Sequence, residues 1–291
     1  MEKGQYSKHL KIKDGDPMRL LFIRHGDPDY ENDRLNETGL KEARALSSLL
    51  KGEDLGDCYA SPLGRAQETA AIALGRALPG ARGRDAAAAC GDKLTTLDWL
   101  QEFPSRVDAS REERLLSAYY FKTLPDGSPK PHIVWDMYPS YYDEHPQYAD
   151  RDLWRTTLVA LNSPMVSDYD RVTAAFDALL AKYGYVREGR HYRVEKESRM
   201  TLTFFCHFGI TSVLLSHLWN VSPFVPLHSL CMPTSSVTEV FTEERQQGFA
   251  HFRTTRIGDT THLTMAGLGP TRPPHCALFT DIYSDASLRH D

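Results

Sequence analysis

Apolar positions along the chain alternate between two periods. Leu20-Leu21-Phe22-Ile23 is a continuous apolar run of the kind buried in a parallel sheet, and it predicts a strand over about Arg19–Ile23. After a polar loop, Asn36 sits where a helix N-cap belongs, and Leu40, Ala43, Leu46 and Leu50 recur at helical spacing. Cys58-Tyr59-Ala60 predicts a short strand running into Ser61-Pro62, an N-cap followed by proline at the first helical position. Ala66, Ala70, Leu74 and Ala77 give the next helix a face of mostly small residues suited to close packing on a sheet. Val172, Ala175, Phe176, Leu179, Leu180 and Tyr183 predict an amphipathic helix closed by Gly184. MTLTFFCHFGITSVLLSHLW then reads as a buried strand to Cys206, a turn at His207–Gly209 and a helix. Ser236–Phe241 and Phe249–Arg256 predict a last pair of strands.

Between about Phe103 and Tyr169 the periodicity breaks down, and aromatic, proline and charged residues crowd together. A helix near Ser110–Phe121 is the one regular element expected there, and the segment 103–169 reads as an inserted cap. Residues 1–17 are polar and predict a loosely held extension ahead of a single domain over 18–291. Strands alternating with helices through short connections imply an α/β fold: a three-layer sandwich with a mostly parallel central sheet and the inserted cap. In such sheets ligands bind just beyond the carboxyl ends of the strands.

Composition narrows the classes. Of 291 residues, 41% are hydrophobic and 25% charged, an ordinary balance for a globular chain. No apolar run reaches the roughly 18 residues of a membrane span, and the N-terminus lacks an apolar signal core, so a cytoplasmic location is expected. Five cysteines without a CxxC pair argue for a reducing compartment and against a disulfide framework or a zinc site. A formal charge of −5 disfavours nucleic acid as a partner. An anionic ligand therefore needs a local cluster of positive groups.

Such a cluster is visible at the predicted strand ends. Two strands end in histidine and a glycine turn: FIRHG with Arg24 and His25, and FFCHFG with His207. A third turn, YASPLGRAQETA, places Arg65 at the start of a helix, where the dipole disfavours a cation unless an anion is bound beside it. One pocket with two arginines and two histidines at its floor, built for a phosphate, is the expectation.

RHG after a strand, then LNETGLKEA, SPLGRAQETA, a strand-HFG turn and GDTTHL together resemble the histidine phosphatase superfamily, the phosphoglycerate-mutase-like proteins, over about residues 18–100 and 170–265. The resemblance implies that His25 is the nucleophile that forms a phosphohistidine. It implies that Arg24, Arg65 and His207 bind the phosphoryl oxygens, with backbone amides near Phe208 and Gly209 and with Asn32 as further phosphate contacts. Glu102, in the Leu-x-Glu context of Leu100-Gln101-Glu102, takes the proton-donor role, with Asp98, Asp108 and Asp27 as alternatives. No metal or other cofactor is implied.

Departures from the pattern sharpen the reading. Mutases of the superfamily carry a glutamate after RHG and an asparagine shortly beyond; this chain has Asp27-Pro28, with Asn32 as the nearby asparagine. The acid-phosphatase branch shows RHGxRxP and a His-Asp pair, whereas here RHGDP and His207-Phe208 stand. A phosphomonoester hydrolase acting on a small phosphorylated metabolite is thus expected, with a phosphomutase or a catalytically idle phosphate-binding module as alternatives. A homodimer is compatible with the sequence; nucleic acid and membrane are not expected partners. Most cap aromatics (Tyr119, Tyr120, Trp135, Tyr138, Tyr141, Tyr142, Trp154) are expected to form the insertion's own core. Of Arg106, Arg111, Arg114, Arg151 and Arg155, one or two reach the substrate if it bears a second anion.

Overall fold

The computed structural model describes residues 17–119 and 123–269. The expected extension at 1–17, apart from residue 17, lies outside them, as do Tyr120 and Cys276. The chain forms two compact units, one built from 17–102, Leu179–Phe208 and 231–269, the other from Phe103–Ala178 and Gly209–Leu230.

In chain order the principal elements are β1 (Arg19–Arg24), α1 (Glu37–Leu50), β2 (Asp57–Ala60), α2 (Gly64–Ala73), β3 (Thr95–Thr96), α3 (Met165–Lys182), β4 (Tyr185–Glu188), β5 (His191–Val194), β6 (Thr201–Cys206), α4 (Phe208–Trp219), β7 (Val237–Gln246), β8 (Phe249–Asp259) and α5 (Thr261–Met265). The strands form one eight-stranded sheet in the order β3-β2-β6-β1-β7-β8-β5-β4. From β3 to β1 the pairings are parallel; from β1 to β4 they are antiparallel. The sheet is therefore mixed rather than mostly parallel. Two of the four antiparallel pairings are local: Gln247–Gly248 and Gly189–Arg190 join β7 to β8 and β4 to β5 as tight hairpins, and a hairpin can only pair strands antiparallel. Both turns use a left-handed glycine, Gly189 at φ 61° and Gly248 at φ 84°.

Leu21, Ile23, Ala60, Phe205 and Val237 from the sheet pack with Leu46 and Leu50 of α1 and Ala70, Ala71 and Ala73 of α2. On the alternate positions, Phe204 stacks with Phe22 on one side and Tyr59 on the other, as the two-residue strand period requires. Asn36 caps α1 as expected, its side-chain oxygen accepting from the Gly39 amide at 2.9 Å. The second helix starts later than the Ser61-Pro62 signal suggested, at Gly64, and Ser61 is released for another partner.

The second unit extends beyond 103–169 to include 170–178 and 209–230. No α-helix forms over the described part of 110–121. Asp108 accepts from the Ser110 amide and Glu112 from the Arg114 amide, and these local side-chain bonds favour two short 3₁₀ turns over a continuous helix. The aromatics here serve chiefly as core: Tyr119, Trp135, Tyr141 and Trp154 are buried. Arg111, Arg114, Arg151 and Arg155 pair with Asp108, Glu112, Asp152 and Asp170. Among the described residues, no helix is long and apolar enough to cross a membrane, and Cys58 and Cys90 are free thiols.

Candidate active site

Sheet register builds the site. Arg24 at the end of β1 lies level with Cys206 at the end of β6, and Ala60 at the end of β2 lies level with Phe205. The His25 amide donates to the Cys206 carbonyl at 3.0 Å and the Ser61 amide to the Phe205 carbonyl at 2.9 Å. His25, Ser61 and His207 therefore leave three parallel strands at one level, on the carboxyl edge.

The two imidazoles lie with ring centroids 5.0 Å apart, both buried. His25 Nδ1 is 2.8 Å from the Gly26 carbonyl, an oxygen that can only accept, so Nδ1 carries the proton. Nε2 is left as the lone-pair nitrogen, and it accepts from Arg65 Nε at 3.3 Å. Burial first, then the charges of Arg65 and Arg24, hold His25 well below the usual histidine range, so the ring is neutral. His207 Nε2 is 2.7 Å from Ser61 Oγ. Burial, then His25, Arg65 and Arg24, depress its pKa in the same way.

Arg24 Nη1 donates to the Met232 carbonyl at 2.6 Å, and its guanidinium lies 6.0 Å from the Phe208 ring centroid. Its Nε is buried without a hydrogen-bond partner in the structure, a donor held ready for an acceptor. Arg65 Nη1 is 2.7 Å from Asp33 Oδ1, and Tyr30 lies under its guanidinium, 5.2 Å from centroid to Cζ. Asp33 Oδ2 also accepts the Gly64 amide at 2.7 Å. A carboxylate of the chain itself thus stands at the start of α2, beside Arg65.

Behind these groups a buried polar layer fixes the loop. Thr69 Oγ1 accepts the Gly26 amide at 3.0 Å and donates to the Arg65 carbonyl at 2.7 Å, tying the RHG turn to α2. Glu42 Oε2 accepts the Asp27 amide at 2.8 Å and its Oε1 accepts Thr234 Oγ1 at 2.9 Å. The Ser235 amide donates to the His25 carbonyl at 2.9 Å, and Ser235 Oγ lies 2.8 Å from His262 Nε2. Two carboxylates in the helices thus act as backbone acceptors, since Glu68 Oε2 likewise takes the Leu35 amide at 2.8 Å.

The structure brings Arg24, His25, Arg65 and His207 together. Phe208 and Gly209 follow directly as the first residues of α4. Asn32 is placed otherwise: it is exposed, and its side chain donates to Asp29 at 2.9 Å in the loop before α1. Glu102 is half-buried and follows the turn Asp98–Leu100, which continues the β3 edge. Sequence reasoning missed Ser61, Asp33, Thr69 and Ser235. Ser61 and Thr69 stood in the quoted motif, but a hydroxyl's partner is set by the fold and carries no spacing signal.

Residues 20–111 match the model of the histidine phosphatase superfamily, branch 1. No curated protein matches the chain. Among solved structures, a phosphoserine phosphatase mutant from Entamoeba histolytica in complex with phosphoserine aligns at 16% identity, with TM-score 0.49, covering 84% of this chain and 99% of the other. Mycobacterial glucosyl-3-phosphoglycerate phosphatase aligns at 18% identity and TM-score 0.47, covering 82% and 98%.

Proposed function

We propose that this chain, whose residues 20–111 match the histidine phosphatase superfamily model, is a phosphomonoester hydrolase working through a phosphohistidine on a small phosphorylated metabolite. The observation that carries the reading is the state of His25: neutral, its Nδ1 proton fixed on Gly26, its Nε2 lone pair among two arginines and a second histidine. Nε2 attacks phosphorus, a P–N bond forms, and the ester P–O bond breaks. Arg24 Nε and Arg65 Nε turn to the non-bridging oxygens as charge shifts onto them, and these charge-assisted bonds need no metal. His207 lies beside them, its ring orientation set by Ser61. Glu102 gives its proton to the departing oxygen, and as carboxylate takes one from the water that then cleaves the P–N bond.

The test uses a small aryl phosphate in the presence of a chelator. Chelator-resistant turnover is expected, and His25→Ala should lower kcat by about a thousandfold or more. A wild-type protein that binds phosphate esters yet turns over none of a broad panel would replace the hydrolase with a phosphate-binding module.

A further inference from the structure

We propose that Asp33 is a positioning residue that holds Arg65 as a pivot, letting its guanidinium exchange His25 for the phosphoryl group. The inference rests on the phosphohistidine reading above. In the structure Arg65 Nε occupies the lone pair of His25 Nε2 at 3.3 Å, the lone pair that must attack phosphorus. Arg65 has to release it and donate to a phosphoryl oxygen instead. An arginine with four rotatable side-chain bonds, released at Nε, would lose its place unless its other end were anchored.

Asp33 supplies that anchor and is itself held from three directions. Its Oδ1 meets Arg65 Nη1 at 2.7 Å, its Oδ2 accepts the Gly64 amide at 2.7 Å, and Arg84 Nη2 lies 3.7 Å from the same oxygen. Its backbone stands at φ 46°, a conformation uncommon for a residue other than glycine, asparagine or aspartate. Its carbonyl oxygen is packed so closely on Gly64 that a Cβ there would lie 2.1 Å from it. Arg65 is only 11% exposed in its side chain, with Tyr30 against its face. Anchor, pivot and face plate together leave the guanidinium a short arc at Nε and little other freedom.

A negative charge this close to an anion site opposes ground-state phosphate binding, so its presence points to a gain elsewhere, in the orientation of Arg65 during transfer. Asp33→Asn isolates this role. Asparagine caps helices as well as aspartate and tolerates the left-handed backbone, so its one amide oxygen keeps the Gly64 bond and the fold while Arg65 Nη1 loses its carboxylate partner. Asp33→Gly keeps the backbone and removes both bonds. With the aryl phosphate, both variants should lower kcat by about tenfold or more, since misplaced guanidinium donors tell on the transition state. Competitive inhibition by inorganic phosphate should stay unchanged or tighten. Melting temperatures identify folded protein, and Asp33→Asn should lie near wild type.

Asp33→Asn with kcat within about threefold of wild type would overturn the proposal and leave only a helix cap, while the hydrolase reading stood on the His25→Ala result. Loss of phosphate inhibition in step with kcat would overturn it too, by making Asp33 part of ground-state binding. A wild-type protein without turnover would overturn it together with the reading beneath it.

Discussion

The bond from His25 Nδ1 to the carbonyl of its own neighbour Gly26 settles a tautomer at 2.8 Å, and so decides which nitrogen can act. The side chains that meet at the site were legible in the sequence because RHG, SPLGRA and HFG each end a strand or open a helix at a recognisable turn. Their partners were not. Asp33 belongs to a run of polar residues, Asp29 to Arg34, in which nothing distinguishes the one carboxylate aimed at Arg65 from the one bound to Asn32. Glu102 remains the residue whose role is argued from context alone, and leaving-group chemistry tests it. Glu102→Ala should slow alkyl phosphates by about a hundredfold or more and aryl phosphates far less, because a good leaving group needs no proton. Equal slowing of both, measured as kcat, would take the acid role away from Glu102.

Among elements, α1 shows how a motif can be fold rather than chemistry. LNETGLKEA supplies the Asn36 cap and, at Gly39, a surface without a side chain against which the RHG loop lies. A Cβ on Gly39 would stand 2.2 Å from the Asp27 carbonyl oxygen, and one on Gly26 would stand 2.8 Å from the Gly39 oxygen. Gly39→Ala would gain about 1 kcal/mol of helix propensity. The overlap with backbone outweighs that, so a net loss of about 3 kcal/mol is expected by urea unfolding, with kcat reduced as the Asp27 backbone shifts beside His25. A variant as stable as wild type would mean that the loop slides freely over α1. The Asn36 cap and the Ala66 and Ala70 face of α2 were readable because each is a local pattern. Strands β3, β4 and β5 were not: β3 has two residues, and YVREGRHYRV alternates charge with aromatics so that its apolar signal is weak.

At the scale of the whole molecule the sign of the charge misleads unless location is known. A chain of net charge −5 concentrates Arg24, Arg65 and two histidines at one sheet edge and keeps both histidines neutral by burial. The mixed sheet makes this edge by ending its parallel strands together, a consequence of pairing between segments more than a hundred residues apart that local periodicity does not encode. Three buried histidines and the half-buried His228 then give the fold a common acid sensitivity. His25 and His207 lie well below the usual range, and burial brings His228 and His262 down to about 4. The unfolded chain takes up protons on these rings below about pH 6.5, while the folded chain does not. The proton difference is positive, so stability rises with pH: their contribution is whole above pH 6.5 and is lost on acidification. For His228 and His262 the loss levels off near pH 4, where the folded rings also protonate. Each ring adds up to about 1.4 kcal/mol per pH unit to the slope. Urea midpoints should therefore fall between pH 7 and 5, ahead of the range where carboxylates titrate. His262→Gln, which keeps an amide to meet Ser235 but cannot titrate, should flatten that slope by about 1 kcal/mol per unit whatever it does to stability at pH 7.5. Parallel slopes for variant and wild type would show that His262 is charged in the folded protein, and with it that burial at the back of the His25 loop does not keep protons out.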